Sequence, residues 1–221
     1  MNLTSGNVQL DIITLLLMIP VVATWIAFAR HVIGFKAFGE FITLIMTFVF
    51  FELGLSPTLQ SQPLVGLRYG LVLFVIIFVS TTVAYGLIKG WSLHYQPKIA
   101  IVVTLITLVL ASIIIISIRF NLSDLIRLDL ISLIAIVALS ESIVTILSRK
   151  TFKKAFYTML ESLVVAIIAY LIISWEKLTG LLFDYPLLIL LLLPVNYLIG
   201  RFTGLRAREF LRFRNILEDE E

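Results

Sequence analysis

From Ile99 to Ile118 the chain carries no ionisable side chain, and six more apolar runs of similar reach are spaced along its 221 residues. A helix of about 20 apolar residues crosses a hydrocarbon core of ~30 Å. The runs place spans at about 10–29, 38–54, 67–89, 99–118, 128–147, 156–175 and 185–201. In lipid a backbone must satisfy its own hydrogen bonds, so only helices and closed barrels cross. The runs are continuous rather than alternating with a period of two, which excludes barrel strands. With 60% hydrophobic and 14% charged residues and a mean hydropathy of +1.09, the chain cannot coat a water-soluble surface. The expected class is an all-α polytopic membrane protein, a seven-helix bundle. Connections are too brief for a soluble domain, so residues 1–203 are read as one transmembrane domain and 204–221 as a tail.

Lys and Arg gather on the cytoplasmic side of membrane proteins. With the N-terminus outside, the inner segments hold Arg30, Lys36, Lys89, Lys98, Arg149, Lys150, Lys153, Lys154, Arg201, Arg206, Arg208, Arg212 and Arg214. The outer segments hold only Arg68, Arg119, Arg127 and Lys177 of the 17 basic residues. This asymmetry predicts an external N-terminus and a cytoplasmic C-terminus. Met1 to Leu10 has no basic residue and Asp11 precedes the first run, unlike a cleaved signal peptide. The triplets at Asn2 and Asn121 are read as chance matches to the glycosylation pattern.

Beyond the last run, Arg206, Arg208, Arg212 and Arg214 alternate with Leu205, Phe210, Leu211 and Phe213. That pattern fits a short helix on the anionic inner leaflet, with arginines at headgroup level and aromatics below. The alternative is a dock for a cytoplasmic protein. The acidic end Glu218 to Glu221 is read as a solvated tail.

Several chemistries are excluded. The chain has no cysteine, and His31 and His94 both fall in inner connections, so neither a thiolate nor a buried histidine dyad is available. The last run contains no lysine for a retinal Schiff base, and no glycine-rich phosphate loop occurs. The basic tail is too short and too close to the membrane to read nucleic acid. No enzyme activity, metal or cofactor is expected.

Four stretches resemble a bacterial family, the seven-transmembrane domain usually fused to an inactive transglutaminase. They are Arg30-His-Val-Ile-Gly-Phe-Lys-Ala-Phe-Gly after the first span, Pro97-Lys-Ile-Ala, Ser140-Glu-Ser, and Leu198-Ile-Gly-Arg-Phe-Thr-Gly-Leu-Arg-Ala-Arg-Glu-Phe-Leu-Arg-Phe-Arg at the end. The last is the most specific. Ser142 stands where the family's Glu-Arg signature has a basic residue, and the extracytoplasmic transglutaminase-like domain has no counterpart in these residues. The resemblance implies a receptor-like or scaffold-like membrane half whose sensor is absent or supplied by another polypeptide.

Ionisable groups at membrane depth cost about 2.5–3.5 kcal/mol on insertion scales and are functional candidates. Glu141 lies eight residues before Arg149 and Glu161 seven after Lys154, which puts both roughly 10–12 Å from the basic connection on neighbouring helices. A buried polar cluster of Glu141, Glu161, Ser140, Tyr157, Asn196 and Arg201 is the candidate site. Such a cluster either holds helices in register or handles protons, since paired carboxylates in low dielectric raise a pKa. Pro20 and Pro194 are read as interruptions of the first and last spans, the latter freeing the carbonyl of Leu190.

Two functions remain in view. The first is a non-enzymatic membrane module that relays to, or anchors, a partner protein through its cytoplasmic face. The second is a small-solute or proton-coupled transporter using Glu141 and Glu161. The expected setting is the bacterial inner membrane, with the lipid bilayer and a separate soluble or membrane protein as partners.

Overall fold

The computed structural model describes residues 5–37, 39–54, 63–92, 94–119, 130–149 and 152–202. Among them every regular element is helical: α1 (Ser5–Phe28), a π turn (Ala29–Ile33), α2 (Glu40–Gly54), α3 (Pro63–Ile88), α4 (Tyr95–Arg119), α5 (Leu130–Arg149), α6 (Phe152–Ile173), α7 (Glu176–Asp184), a 3₁₀ segment (Pro186–Leu191) and α8 (Leu192–Gly200). The arginine tail, both glycosylation triplets, Arg127 and Lys150 lie outside the described residues.

In α3 the buried side carries Phe74, Ile77, Thr81, Ala84 and Ile88. The opposite side is equally apolar, with Val72, Val75, Val79, Val83 and Leu87 between 43% and 68% exposed. A helix at a water boundary would be polar there, so the exposed stripe faces lipid. Four helices among the described residues are long and apolar enough to cross a membrane, or five if a bent pair near the end counts as one. The chain is a multi-pass membrane protein in contact with the bilayer.

Two compact units divide the chain, residues 1–47 with 161–221, and residues 48–160. In the first, α1 buries Met18, Val22, Ile26 and Ala29, spaced to fall on one helix face. Trp25 Nε1 of α1 donates to the backbone carbonyl of Val165 in α6 at 3.2 Å. In the second unit, α3, α4 and α5 pack on one another, with Val102, Ile106 and Leu110 of α4 buried every fourth residue. The Tyr95 and Thr145 hydroxyls share a hydrogen bond from α4 to α5, and Phe78 of α3 meets Phe152 and Phe156 of α6 at ring-centroid distances of 6.4 and 6.0 Å.

The last apolar run breaks elsewhere than at Pro194. The chain bends by 104° between α7 and the Pro186–Gly200 arm. Tyr185, at φ −130° and ψ 71°, precedes Pro186, and a proline's ring disfavours helical backbone in the residue before it. Pro186 itself is suited to a first helical position, where no amide is required. Pro194 falls in the first turn of α8, and the Leu192 amide is directed to the carbonyls of Ile189 and Leu190, so the Leu190 carbonyl is not left free. Six residues at a ~2.0 Å rise and nine at ~1.5 Å give the arm a reach of about 25 Å, most of a hydrocarbon core. Trp175 and Tyr185, 61% and 64% exposed, flank the amphipathic α7, as aromatics do where a helix meets headgroups.

Candidate functional site

The six residues of the candidate cluster are shared between the two units. Ser140, Glu141 and Tyr157 belong to the 48–160 unit, while Glu161, Asn196 and Arg201 belong to the other. Ser140 is fully buried and Glu161 is half-buried, whereas Glu141, Tyr157, Asn196 and Arg201 are exposed. The residues expected to form one cluster thus include both buried and exposed side chains. On α5 the cause is helical phase: Ile134, Val137 and Glu141 fall three and four residues apart on one exposed face, and Ser140 falls one residue back into the core. The Ser140 hydroxyl donates to the carbonyl of Ile136 at 2.6 Å, and that of Ser142 to Ala138 at 3.0 Å. Both hydroxyls satisfy themselves on their own helix, a common resolution for serine in lipid.

Glu161 has a defined task. Its Oε2 accepts the backbone N–H of Lys36 at 2.5 Å, across 125 residues of sequence. The loop is prepared for this by the Arg30-to-Gly39 stretch. α1 loosens into the π turn, and Gly34 takes the left-handed conformation at φ 92°, which side chains bearing a Cβ resist. The amides of Gly34 and Phe35 both donate to the carbonyl of Ala29, at 3.0 and 3.1 Å, closing the helix end in the manner of a left-handed cap. Two residues beyond Gly34 the Lys36 amide points at the carboxylate. Arg30 Nη1 meets Glu40 Oε1 at 3.1 Å with both side chains exposed. An exposed pair of this kind contributes at most about 1 kcal/mol, but it ties the start of the loop to the first turn of α2. Glu40 was not among the expected site residues, and neither was the Lys36 amide.

Asn196 is engaged within the same unit. Its Nδ2 donates to the Thr24 hydroxyl at 2.9 Å, and that hydroxyl donates to the carbonyl of Pro20 at 2.8 Å. The short polar chain therefore ties α8 to the proline-bearing turn of α1. Replacing Thr24 by valine keeps the shape and removes both bonds. We expect a loss of about 1 kcal/mol, as for interhelical hydrogen bonds in other membrane bundles. Asn196→Leu should cost a similar amount and add almost nothing to Thr24→Val, as thermal unfolding in detergent would show.

Within the stretch Ser80-Thr81-Thr82, Thr81 donates to its own helix, to Ile77 at 2.6 Å. Among the described residues no three His, Cys, Asp or Glu side chains converge where they could hold a metal. Beside α3 and α4 lies an open groove of about 380 Å³ lined by Val79, Val83, Ala84, Leu105, Leu108 and Val109, with Ser80, Leu87 and Ser112 completing it.

Residues 6–217 match the model of a protein family described as seven transmembrane helices usually fused to an inactive transglutaminase. No curated protein and no solved structure matches the chain.

Proposed function

Because the chain belongs to this seven-helix, transglutaminase-associated membrane family, we propose that it is a non-enzymatic membrane module that anchors or relays to a partner protein through its cytoplasmic face. In this reading residues 1–203 form one domain of seven crossings in the bacterial inner membrane, the N-terminus is outside, and the tail from residue 204 lies at the inner surface. The charge asymmetry of the connections supports the direction.

The observation that carries the reading is the employment of the polar groups. Glu161 holds a loop amide and Asn196 holds the Thr24 hydroxyl, so both act as internal ties between chain segments. A proton relay would need carboxylates free to exchange protons with a water-filled path, whereas the Glu161 carboxylate accepts the Lys36 amide. Arg206, Arg208, Arg212 and Arg214, with Phe210 and Phe213 between them, are the proposed contact with the inner leaflet or the partner.

The test uses the full chain. Changing the four tail arginines to glutamine should release a protein that the wild type retains in mild detergent, with membrane insertion unchanged. The same variant and Glu141→Gln should leave ion and solute flux in liposomes at the level of empty vesicles. Proton-coupled uptake that is abolished by Glu141→Gln or Glu161→Gln would overturn this reading in favour of a carrier.

A further inference from the structure

The groove beside α3 and α4 has a chemistry of its own. We infer that it binds an anionic phospholipid, one acyl chain lying along Val79 to Leu87 and the phosphate held by Lys89 and Lys98. The inference rests only on the two helices lying in a bilayer, for which both are long and apolar enough.

Three observations converge on it. The groove opens on the lipid-facing side, because its walls Val79, Val83, Leu108 and Val109 are 41–60% exposed while its floor, Ala84, is 3% exposed. A small side chain on the floor between larger ones on the rims makes a trough rather than a flat face. From Val79 to Leu87 it runs about 12 Å at helical rise, in the direction of the α3–α4 connection.

That connection is the second observation. Lys89 follows Leu87 by two residues and is exposed, Lys98 enters α4 from the other side of the turn, and Trp91 and Tyr95 between them are 57% and 40% exposed. Exposed aromatics beside lysines mark headgroup depth. A lysine reaching up along the apolar wall keeps its ammonium at that level.

The third is charge. From Pro63 to Arg119 there is no Asp or Glu. Lys89 and Lys98, on either side of the α3–α4 connection, therefore have no acidic partner on their own hairpin, and an anionic headgroup supplies one. Each lysine near an anionic membrane surface strengthens attraction to it. A partner helix could fill the apolar trough, but it would not by itself answer the two cations. A soluble phosphate would answer the cations and leave the trough bare.

Native mass spectrometry of the detergent-solubilised full chain, titrated with phosphatidylglycerol or phosphatidylcholine of matched acyl chains, tests this. We expect one retained phosphatidylglycerol, preferred about tenfold. Lys89→Gln with Lys98→Gln should bring the two lipids to parity. Val109→Trp, on the exposed rim, should expel the lipid while the thermal unfolding profile stays that of the wild type; Ser112→Phe is the alternative filling variant should that one fail to fold. Glycerol phosphate at the same concentration should not compete. Equal binding of both lipids by the wild type, a preference that survives the lysine changes, full competition by glycerol phosphate, or a dimer of the chain that excludes lipid from the groove would each overturn the assignment.

Discussion

Replacing Gly70 by alanine is expected to destabilise the protein by about 1–3 kcal/mol, the usual cost of forcing extra volume into a packed interior, and replacement by leucine should prevent accumulation of folded protein. A Cβ at Gly70 would lie 3.0 Å from Cγ of Phe50 and still closer to Cδ1 and Cε1. Phe50 is only 2% exposed, so its ring has no open space into which to swing. The bare backbone of α3 at Gly70 is thus what allows the α2 ring to seat. Phe50→Ala alone should cost about 3–5 kcal/mol through the cavity it leaves. In the double variant the new methyl meets no ring, and the combined loss should fall short of the sum by more than about 1 kcal/mol. Gly86 is the control. Nothing lies within 4 Å of a Cβ there, so Gly86→Ala should be neutral or slightly stabilising, since alanine is the better helix former by roughly 1 kcal/mol. Equilibrium unfolding of the four variants in mild detergent decides the matter, and equal behaviour of Gly70→Ala and Gly86→Ala would refute the close approach.

Gly34→Val should give the second large effect. At φ 92° any side chain costs roughly 1–2 kcal/mol, and a β-branched one more. The cap on the Ala29 carbonyl then opens and Lys36 is carried away from Glu161. Trypsin should cut after Lys36 or Arg30 in the variant at protease concentrations that leave the wild type intact. Asparagine tolerates the left-handed region better than other residues, so Gly34→Asn should keep most of the protection. Glu161→Ala should expose the same bonds to trypsin more weakly, because Lys36 is exposed and water can replace the carboxylate. Combined with Gly34→Val it should add little further, as expected when two changes break one contact.

The all-helical class and the four long spans were legible because each rests on a local property, an extended apolar run, that tertiary context need not correct. The bend at Tyr185 was legible in principle as well. Pro186 and Pro194 are both in the run, and the useful question is which of them follows a residue that has left helical backbone. Glycine alone was ambiguous: Gly70 and Gly86 look alike in α3, and only the Phe50 ring distinguishes them. The polar site was the least readable part. Counting residues from the basic connection gives depth along a helix but not phase around it, so the exposure of Glu141 leaves no mark in that count. The tie between Glu161 and Lys36 involves a backbone amide, which leaves no mark on side-chain identity. Gly34, inside a stretch shared with the family, was its nearest signal.

The 3₁₀ segment Pro186–Leu191 is expected to let the last arm respond to the thickness of its surroundings. A residue wound in this way advances about 0.5 Å further than in an α-helix. Rewinding all six would draw the arm in by about 3 Å, comparable with the difference in hydrocarbon depth between thin and thick cellular membranes. Amide-I infrared spectra of the protein in short- and long-chain bilayers would register that rewinding as an exchange between the two helical hydrogen-bond patterns.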